Sequence, residues 1–192
     1  MRVVGGELKG RTIRTCEGPG YRPATMKVRE SVFSMLAARG VDFASARVID
    51  LFAGSGSLGF EALSRGAAFA CFVEKDAAAA GIIRDNARAF GLGPALARVV
   101  VRNVNTFLRQ EPSSILGDEN GFNVVFVDPP YGKDLLLPAL KSVLDRSWLA
   151  PDGLLLAEVE AGLDLDPDAI DARLQTQADR AYGQTRIVVW SP

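Results

Sequence analysis

Val48-Ile49-Asp50-Leu51-Phe52-Ala53-Gly54-Ser55-Gly56-Ser57-Leu58-Gly59 decides how this chain is read. An apolar run carrying one acid enters a loop with two glycines and leaves it on a helical pattern. That is the opening of a parallel α/β unit that holds a nucleotide-like ligand. From Arg47 onward strands and helices alternate. Strands are expected at Val48–Leu51, Ala70–Val73, Arg98–Val101, Val124–Val127 and Leu154–Glu158. Helices are expected over Leu58–Arg65, Ala77–Phe90, Thr106–Gln110 and Leu137–Ser147. Asp76 is placed to cap a helix, and Gly66 and Gly91 to end helices. The order predicts a mostly parallel sheet covered on both faces. The end differs: Leu174–Gln177 and Thr185–Trp190, joined around Tyr182-Gly183, read as an antiparallel pair. Glu111–Gly121 reads as a polar, mobile loop.

Upstream, residues 2–14 read as a small hairpin or extended arm, and Thr25 caps a helix over Met26–Ala38 ending at Gly40. The expected division is 1–40 for a basic arm and helix and 41–192 for the main domain. Residues 1–30 hold seven Lys/Arg against three acids, net +4, while the remainder carries −5. A basic arm on an acidic body suggests a polyanionic partner met at one end.

Composition narrows the chemistry. An apolar share of 48% and a charged share of 23% suit a soluble globular domain. No apolar run reaches the roughly 20 residues that span a bilayer, and the N-terminus lacks a secretory apolar core, so a cytoplasmic protein is expected. Cys16 and Cys71 lie far apart and read as reduced thiols. There is no histidine, which removes Ser-His-Asp triads, Cys-His pairs and histidine metal sites. No metal is expected, and nothing suggests an obligate dimer.

Gly54-x-Gly56-x-x-Gly59 with Glu74 downstream also fits a dinucleotide fingerprint, so a nicotinamide oxidoreductase is a genuine rival. Two features favour S-adenosylmethionine (AdoMet). Asp50 suits the ammonium of an amino-acid tail and sits poorly against a pyrophosphate. The chain also carries Asp128-Pro129-Pro130-Tyr131 after its fourth strand, for which a dehydrogenase has no evident use. The expected cradle is Asp50 and the loop at Phe52, Ala53, Gly54 and Gly56 for the methionine moiety. Glu74 would take the ribose hydroxyls, and Asn103 with the Val104 N–H the adenine edge.

Asp128-Pro129-Pro130-Tyr131 fits methylation of an exocyclic amino group. Such a nitrogen is a poor nucleophile because its lone pair is delocalised into the ring. The Asp128 carboxylate and the Pro129 carbonyl can accept its two hydrogens and aim the lone pair at a methyl donor. Pro129 and Pro130 fix the backbone so that the acceptors converge. Tyr131 offers a face for the base, a contact worth ~1–3 kcal/mol. The transfer is then an in-line displacement driven by positioning.

At these residues the chain resembles the RsmD-type methyltransferases. The shared blocks are Arg2-Val3-Val4-Gly5-Gly6, Gly10-Arg11, Arg22-Pro23, Val28-Arg29-Glu30 with Phe33, Asp50 to Gly56, Glu61 to Ala67, Asp128 to Tyr131, and Tyr182-Gly183-Gln184-Thr185. The chain departs from that pattern at Tyr21 and Ala24, where threonines are usual. It departs again at Arg102-Asn103-Val104, where an acid followed by alanine is usual. The resemblance implies a Rossmann-like class I AdoMet-dependent fold of seven strands with the last antiparallel, plus a small N-terminal hairpin and helix extension. It implies methylation of the 2-amino group of a guanine in 16S ribosomal RNA, free or within an assembling small subunit. Arg11, Arg14, Arg22, Lys27 and Arg29 would then contact phosphates around the target, with a salt-dependent affinity. Two alternatives use the same residues: a DNA adenine-amino methyltransferase, and a non-catalytic RNA-binding assembly factor that kept the fold.

Overall fold

A computed structural model describes residues 1–15, 25–118 and 120–192. Seven strands form one sheet in the order β3-β2-β1-β4-β5-β7-β6. They are β1 (Arg47–Leu51), β2 (Phe69–Glu74), β3 (Ala97–Val101), β4 (Phe122–Val127), β5 (Leu149–Glu160), β6 (Gln175–Tyr182) and β7 (Thr185–Ser191). The pairs β1·β2, β2·β3, β1·β4 and β4·β5 are parallel, while β7 runs antiparallel to both β5 and β6. Only the last strand therefore opposes the rest. The chain winds outward from β1 to β3, then returns to place β4 on the other flank of β1. That reversal opens a crevice at the carboxyl ends of β1 and β4, the usual ligand position in an open α/β sheet.

The strand alternation assigns each face. Val48, Ala70, Phe72, Val124, Phe126, Leu154 and Leu156 join one core with α1 (Met26–Ala38), α2 (Ser57–Ser64) and α3 (Ala77–Ala89). Ile49, Leu51, Cys71, Val73, Val125, Val127 and Leu155 face the other, with α4 (Val104–Phe107) and α6 (Leu136–Asp145). Period-2 alternation then puts Asp50, Glu74, Asp128 and Glu158 on the α1–α3 side, near the carboxyl end of each strand. Cys71 is a buried free thiol pushed up to about 12 by burial; Cys16 lies outside the described residues.

The expected caps are present. Thr25 Oγ1 accepts from Val28 N at 3.3 Å, and Asp76 from Ala79 N at 2.8 Å. Four elements differ from expectation. The fourth predicted helix starts earlier, at Val104, because Asn103 caps it through its side-chain oxygen, which accepts from Asn105 N and Thr106 N. The predicted polar loop carries one turn of helix, α5 (Ser113–Leu116), and α7 (Pro167–Ile170) was not expected. The fifth strand begins at Leu149, five residues before the expected Leu154, and runs through Pro151-Asp152-Gly153.

The N-terminal residues pair as Arg2↔Thr12 and bury Val3 and Ile13 in the α1–α3 core. Glu61 of α2, wholly buried, receives Val4 N and Gly5 N at 2.8 Å each and the Arg65 guanidinium at 3.0 Å. Gly6 has φ +74°, and a Cβ there would stand 1.7 Å from the Ser64 carbonyl oxygen. No described helix is long and apolar enough to cross a membrane.

Candidate active site

The loop after β1 is tied down on all sides. Ala53 N donates to Val73 O at 3.0 Å, Gly54 N to Glu74 Oε2 at 2.9 Å, and Gly56 N to Ala53 O at 2.7 Å. Phe52 and Gly54 adopt left-handed backbone, φ 63° and 55°, a conformation uncommon for a phenylalanine and typical of functional loops. Beneath the loop Asp50 is 2% exposed, and its Oδ2 accepts from Gly59 N at 3.1 Å. Gly59 itself packs on β2: a Cβ there would meet the Phe72 ring at 2.3 Å. The third glycine of the fingerprint is thus a helix–sheet packing position.

These bonds bear on which cofactor fits. A pyrophosphate needs loop N–H donors, but those of Ala53, Gly54, Gly56 and Gly59 are already engaged. An anion would also face the Asp50 carboxyl behind the loop. A cationic ammonium and a sulfonium need acceptors and negative charge, which the loop carbonyls and Asp50 supply. The donor set therefore fits AdoMet better than a dinucleotide. Glu74, 9% exposed at the end of β2, holds Gly54 N and Asp76 N on separate oxygens, leaving lone pairs for a diol. Asn103 spends its side-chain oxygen on its own helix, whereas Val104 N opens that helix without an intrahelical acceptor.

Asp128 follows β4 directly, and its N–H reaches Leu51 O at 3.5 Å, so it lies beside the start of the loop. The register Val127↔Ala157 sets it next to Glu158 on β5. Three carboxyls thus converge at the strand ends. Burial first, then Glu158 and Asp50, hold the Asp128 carboxyl well above the usual carboxylate range. Burial likewise raises Asp50 to about 7, opposed by the Gly59 hydrogen bond and assisted by Glu74. Glu158 is also raised to about 7, by burial, against a hydrogen bond from Thr185. Pro129 is buried; Pro130 and Tyr131 are exposed, Tyr131 to 40%. The Tyr131 hydroxyl reaches Val159 O at 3.4 Å and Thr185 Oγ1 at 3.3 Å.

Glu158 and Thr185 were not among the expected site residues. Glu158 had a signal: like Asp50, Glu74 and Asp128, it is an acid at the close of a buried strand. Thr185 closes a quoted block without an evident role.

The expected RNA cations are dispersed. Arg29 is a correction: it is 2% exposed, its guanidinium reaching Met1 Sδ and Arg2 O, so it braces the N-terminal arm and cannot meet a phosphate. Arg11 donates to Ala89 O at the end of α3 and lies 5.3 Å over the Phe90 ring. Arg14 is exposed and pairs with Asp85 at 3.6 Å. Lys27 is exposed in the first turn of α1. Arg22 lies outside the described residues.

The protein-family model described as "Conserved hypothetical protein 95" matches residues 1–191. Ribosomal RNA small subunit methyltransferase D of Escherichia coli K12 is 40% identical over 169 residues, covering 87% of this chain and 79% of that protein. The protein of the same name from Haemophilus influenzae is 32% identical over 160 residues, covering 83% and 79%. Among solved structures, Escherichia coli yhhF, described as a methyltransferase, superposes with TM-score 0.80 at 34% identity, covering 99% of this chain and 96% of that one. The rRNA methyltransferase aviRa of Streptomyces viridochromogenes shares the fold at TM-score 0.65 and 17% identity, covering 91% and 87%. The fold is that of class I AdoMet-dependent methyltransferases, and the chain belongs to the Conserved hypothetical protein 95 family, which is the RsmD family.

Proposed function

We propose that this chain transfers a methyl group from AdoMet to the exocyclic 2-amino group of a guanine in small-subunit ribosomal RNA. The observation that carries the reading is the tie between Asp128 and the loop after β1: Asp128 N bonds Leu51 O, so the amine acceptors and the cofactor loop share one strand junction. The names of the relatives, ribosomal RNA small subunit methyltransferase D, supply the substrate class.

AdoMet, when bound, supplies an electrophilic methyl on a positively charged sulfur. Asp50, the carbonyls at Phe52, Ala53 and Gly54, the turn at Gly56, Glu74 and the Val104 N–H are the groups that would hold it. Asp128, in its ionised form, accepts one hydrogen of the amine, and the Pro129 carbonyl accepts the other. Pro130 limits movement of that pair, and Tyr131 stacks on the base. An ionised Asp128 is therefore the working form. Arg14, Arg22 and Lys27 are the cations from the expected set that remain for RNA phosphates.

The test is transfer of labelled methyl to small-subunit RNA lacking the modification, followed by nucleoside analysis. N2-methylguanosine is expected, and Asp128→Ala should abolish it. N6-methyladenosine would favour the DNA-type adenine chemistry, and RNA binding without transfer would favour an assembly factor.

A further inference from the structure

We propose that Thr185 is a positioning residue for this reaction: its hydroxyl pins the Tyr131 ring and joins it to the acidic pair Asp128–Glu158. The inference rests on the proposed role of Tyr131 as the stacking face. Tyr131 lies in an exposed stretch that continues through Gly132, Lys133 and Asp134, with left-handed backbone at Gly132 and Asp134. The residue is 40% exposed, so packing holds it only in part. Exposed side chains change rotamer within nanoseconds, and a wandering ring makes a poor platform.

The hydroxyl end is where this ring is fixed. It donates to Val159 O at 3.4 Å and lies 3.3 Å from Thr185 Oγ1. Both partners are on the sheet: Val159 on β5, Thr185 at the first position of β7, paired with Glu160. Thr185 also stands diagonally across from Glu158, one pair along from Glu160, and its hydroxyl favours the ionised carboxyl there. A hydroxyl has one donor and two acceptor sites. With Glu158 ionised, Thr185 turns its hydrogen to the carboxylate, and its lone pairs share the single Tyr131 hydrogen with Val159 O. One side chain thereby links the group that stacks the base to the neighbour of the group that accepts its hydrogen. Valine at 185 keeps the shape and loses both bonds; serine keeps them.

The test is the single-turnover methyl-transfer rate of Thr185→Val, Thr185→Ser, Tyr131→Phe and the Thr185→Val/Tyr131→Phe double variant, with AdoMet affinity measured by calorimetry. Thr185→Val and Tyr131→Phe should each slow transfer about tenfold. Thr185→Ser should stay close to wild type, and AdoMet affinity should hold throughout. The double variant should lose less than the product of the two single losses, since the contact they share can be lost only once. A wild-type rate in Thr185→Val, an equal loss in Thr185→Ser, or multiplying losses in the double variant would each overturn the proposal. Wild-type transfer, and its loss in Asp128→Ala, report separately on the reaction itself. Should wild type transfer no methyl, fluorine NMR of meta-fluorotyrosine protein still decides, since the chain has three tyrosines. The Tyr131 signal should move toward the averaged position in Thr185→Val and stay put in Thr185→Ser; an unmoved signal in Thr185→Val counts against it.

Discussion

Three carboxyls meeting at one strand junction make this site sensitive to protons. Ionised Asp128 is the stronger acceptor for an amine hydrogen, yet burial and its neighbours Glu158 and Asp50 favour its protonated form. Methyl transfer should therefore rise with pH, its acid limb lying above the usual carboxylate range. Removing a neighbouring negative charge eases ionisation of Asp128. Glu158→Gln should thus shift the acid limb of the single-turnover profile to lower pH, and an unmoved limb would dissociate Glu158 from Asp128. Stability runs the other way. A carboxyl whose folded pKa is raised binds its proton more tightly folded than unfolded. Its contribution is complete below the unfolded value, roughly 4, and is lost as pH rises through the folded value, about 7 for Asp50. Asp50→Asn retains an acceptor for Gly59 N without the buried charge. Relative to wild type it should gain ~3 kcal/mol on going from pH 5 to pH 8, read from urea midpoints at both pH values. The proposed cofactor cradle thus holds a buried acid at a cost in stability, as expected where function sets the residue.

At the scale of elements, two distant blocks of the sequence meet. The Val4-Gly5-Gly6 backbone docks on Glu61, Ser64 and Arg65 of α2: Leu8 N donates to Ser64 Oγ at 2.9 Å, and Glu7 N to Ser64 O at 2.7 Å. Glu61→Ala leaves Val4 N and Gly5 N without their acceptor and Arg65 and Arg29 without a nearby buried anion. A loss on the order of 3–5 kcal/mol is expected, with faster amide exchange at Val4, Gly5 and Leu8 as its local signature. Exchange confined to wild-type rates there would show that the arm is held otherwise. Which elements were legible follows the same physics. Helices α1 to α3 carry side-chain caps or glycine stops as well as apolar periodicity, so they could be read to within a residue or two. The four-residue helices α5 and α7 are too short for a period to show. Arm docking was invisible because it is made of backbone N–H groups meeting one carboxylate, which leaves no pattern except the spacing between blocks. Of the site, strand-end acids were readable from their position after apolar runs. The Thr185–Tyr131 contact joins residues 54 apart in sequence, and only the antiparallel insertion of β7 brings them together.

For the whole molecule, the question is where its positive charge lies relative to the chemistry. Parallel βαβ units send each helix back toward the edge where strands begin, so Ala89 and Phe90 at the end of α3 lie at the edge opposite Asp128. Arg11, seated on those two residues, is about the length of α3, ~20 Å, from the proposed catalytic edge. Helix α1 runs the same way across the same face, starting at the strand-end edge. Ser31 in its first half bonds the Tyr182 hydroxyl beside the β6–β7 turn, while Arg39 at its end reaches Gln177 O near the start of β6. The first turn of α1, with Lys27, therefore opens toward the catalytic edge. The two cations should then fail differently. Lys27→Ala should weaken RNA binding and lower the slope of log affinity against log salt by about 0.7, one contact on a single strand. Arg11→Ala loses a hydrogen bond to a helix carbonyl and a cation–π contact, together about 1–2 kcal/mol. It should lower the melting temperature by roughly 2–8 °C with the salt slope unchanged. Titrations of fluorescent small-subunit RNA fragments between 50 and 200 mM salt, run beside thermal melts, separate the two. A reduced slope in Arg11→Ala with an unchanged one in Lys27→Ala would mean that the RNA lies across the strand-start edge, and that the arm serves binding more than packing.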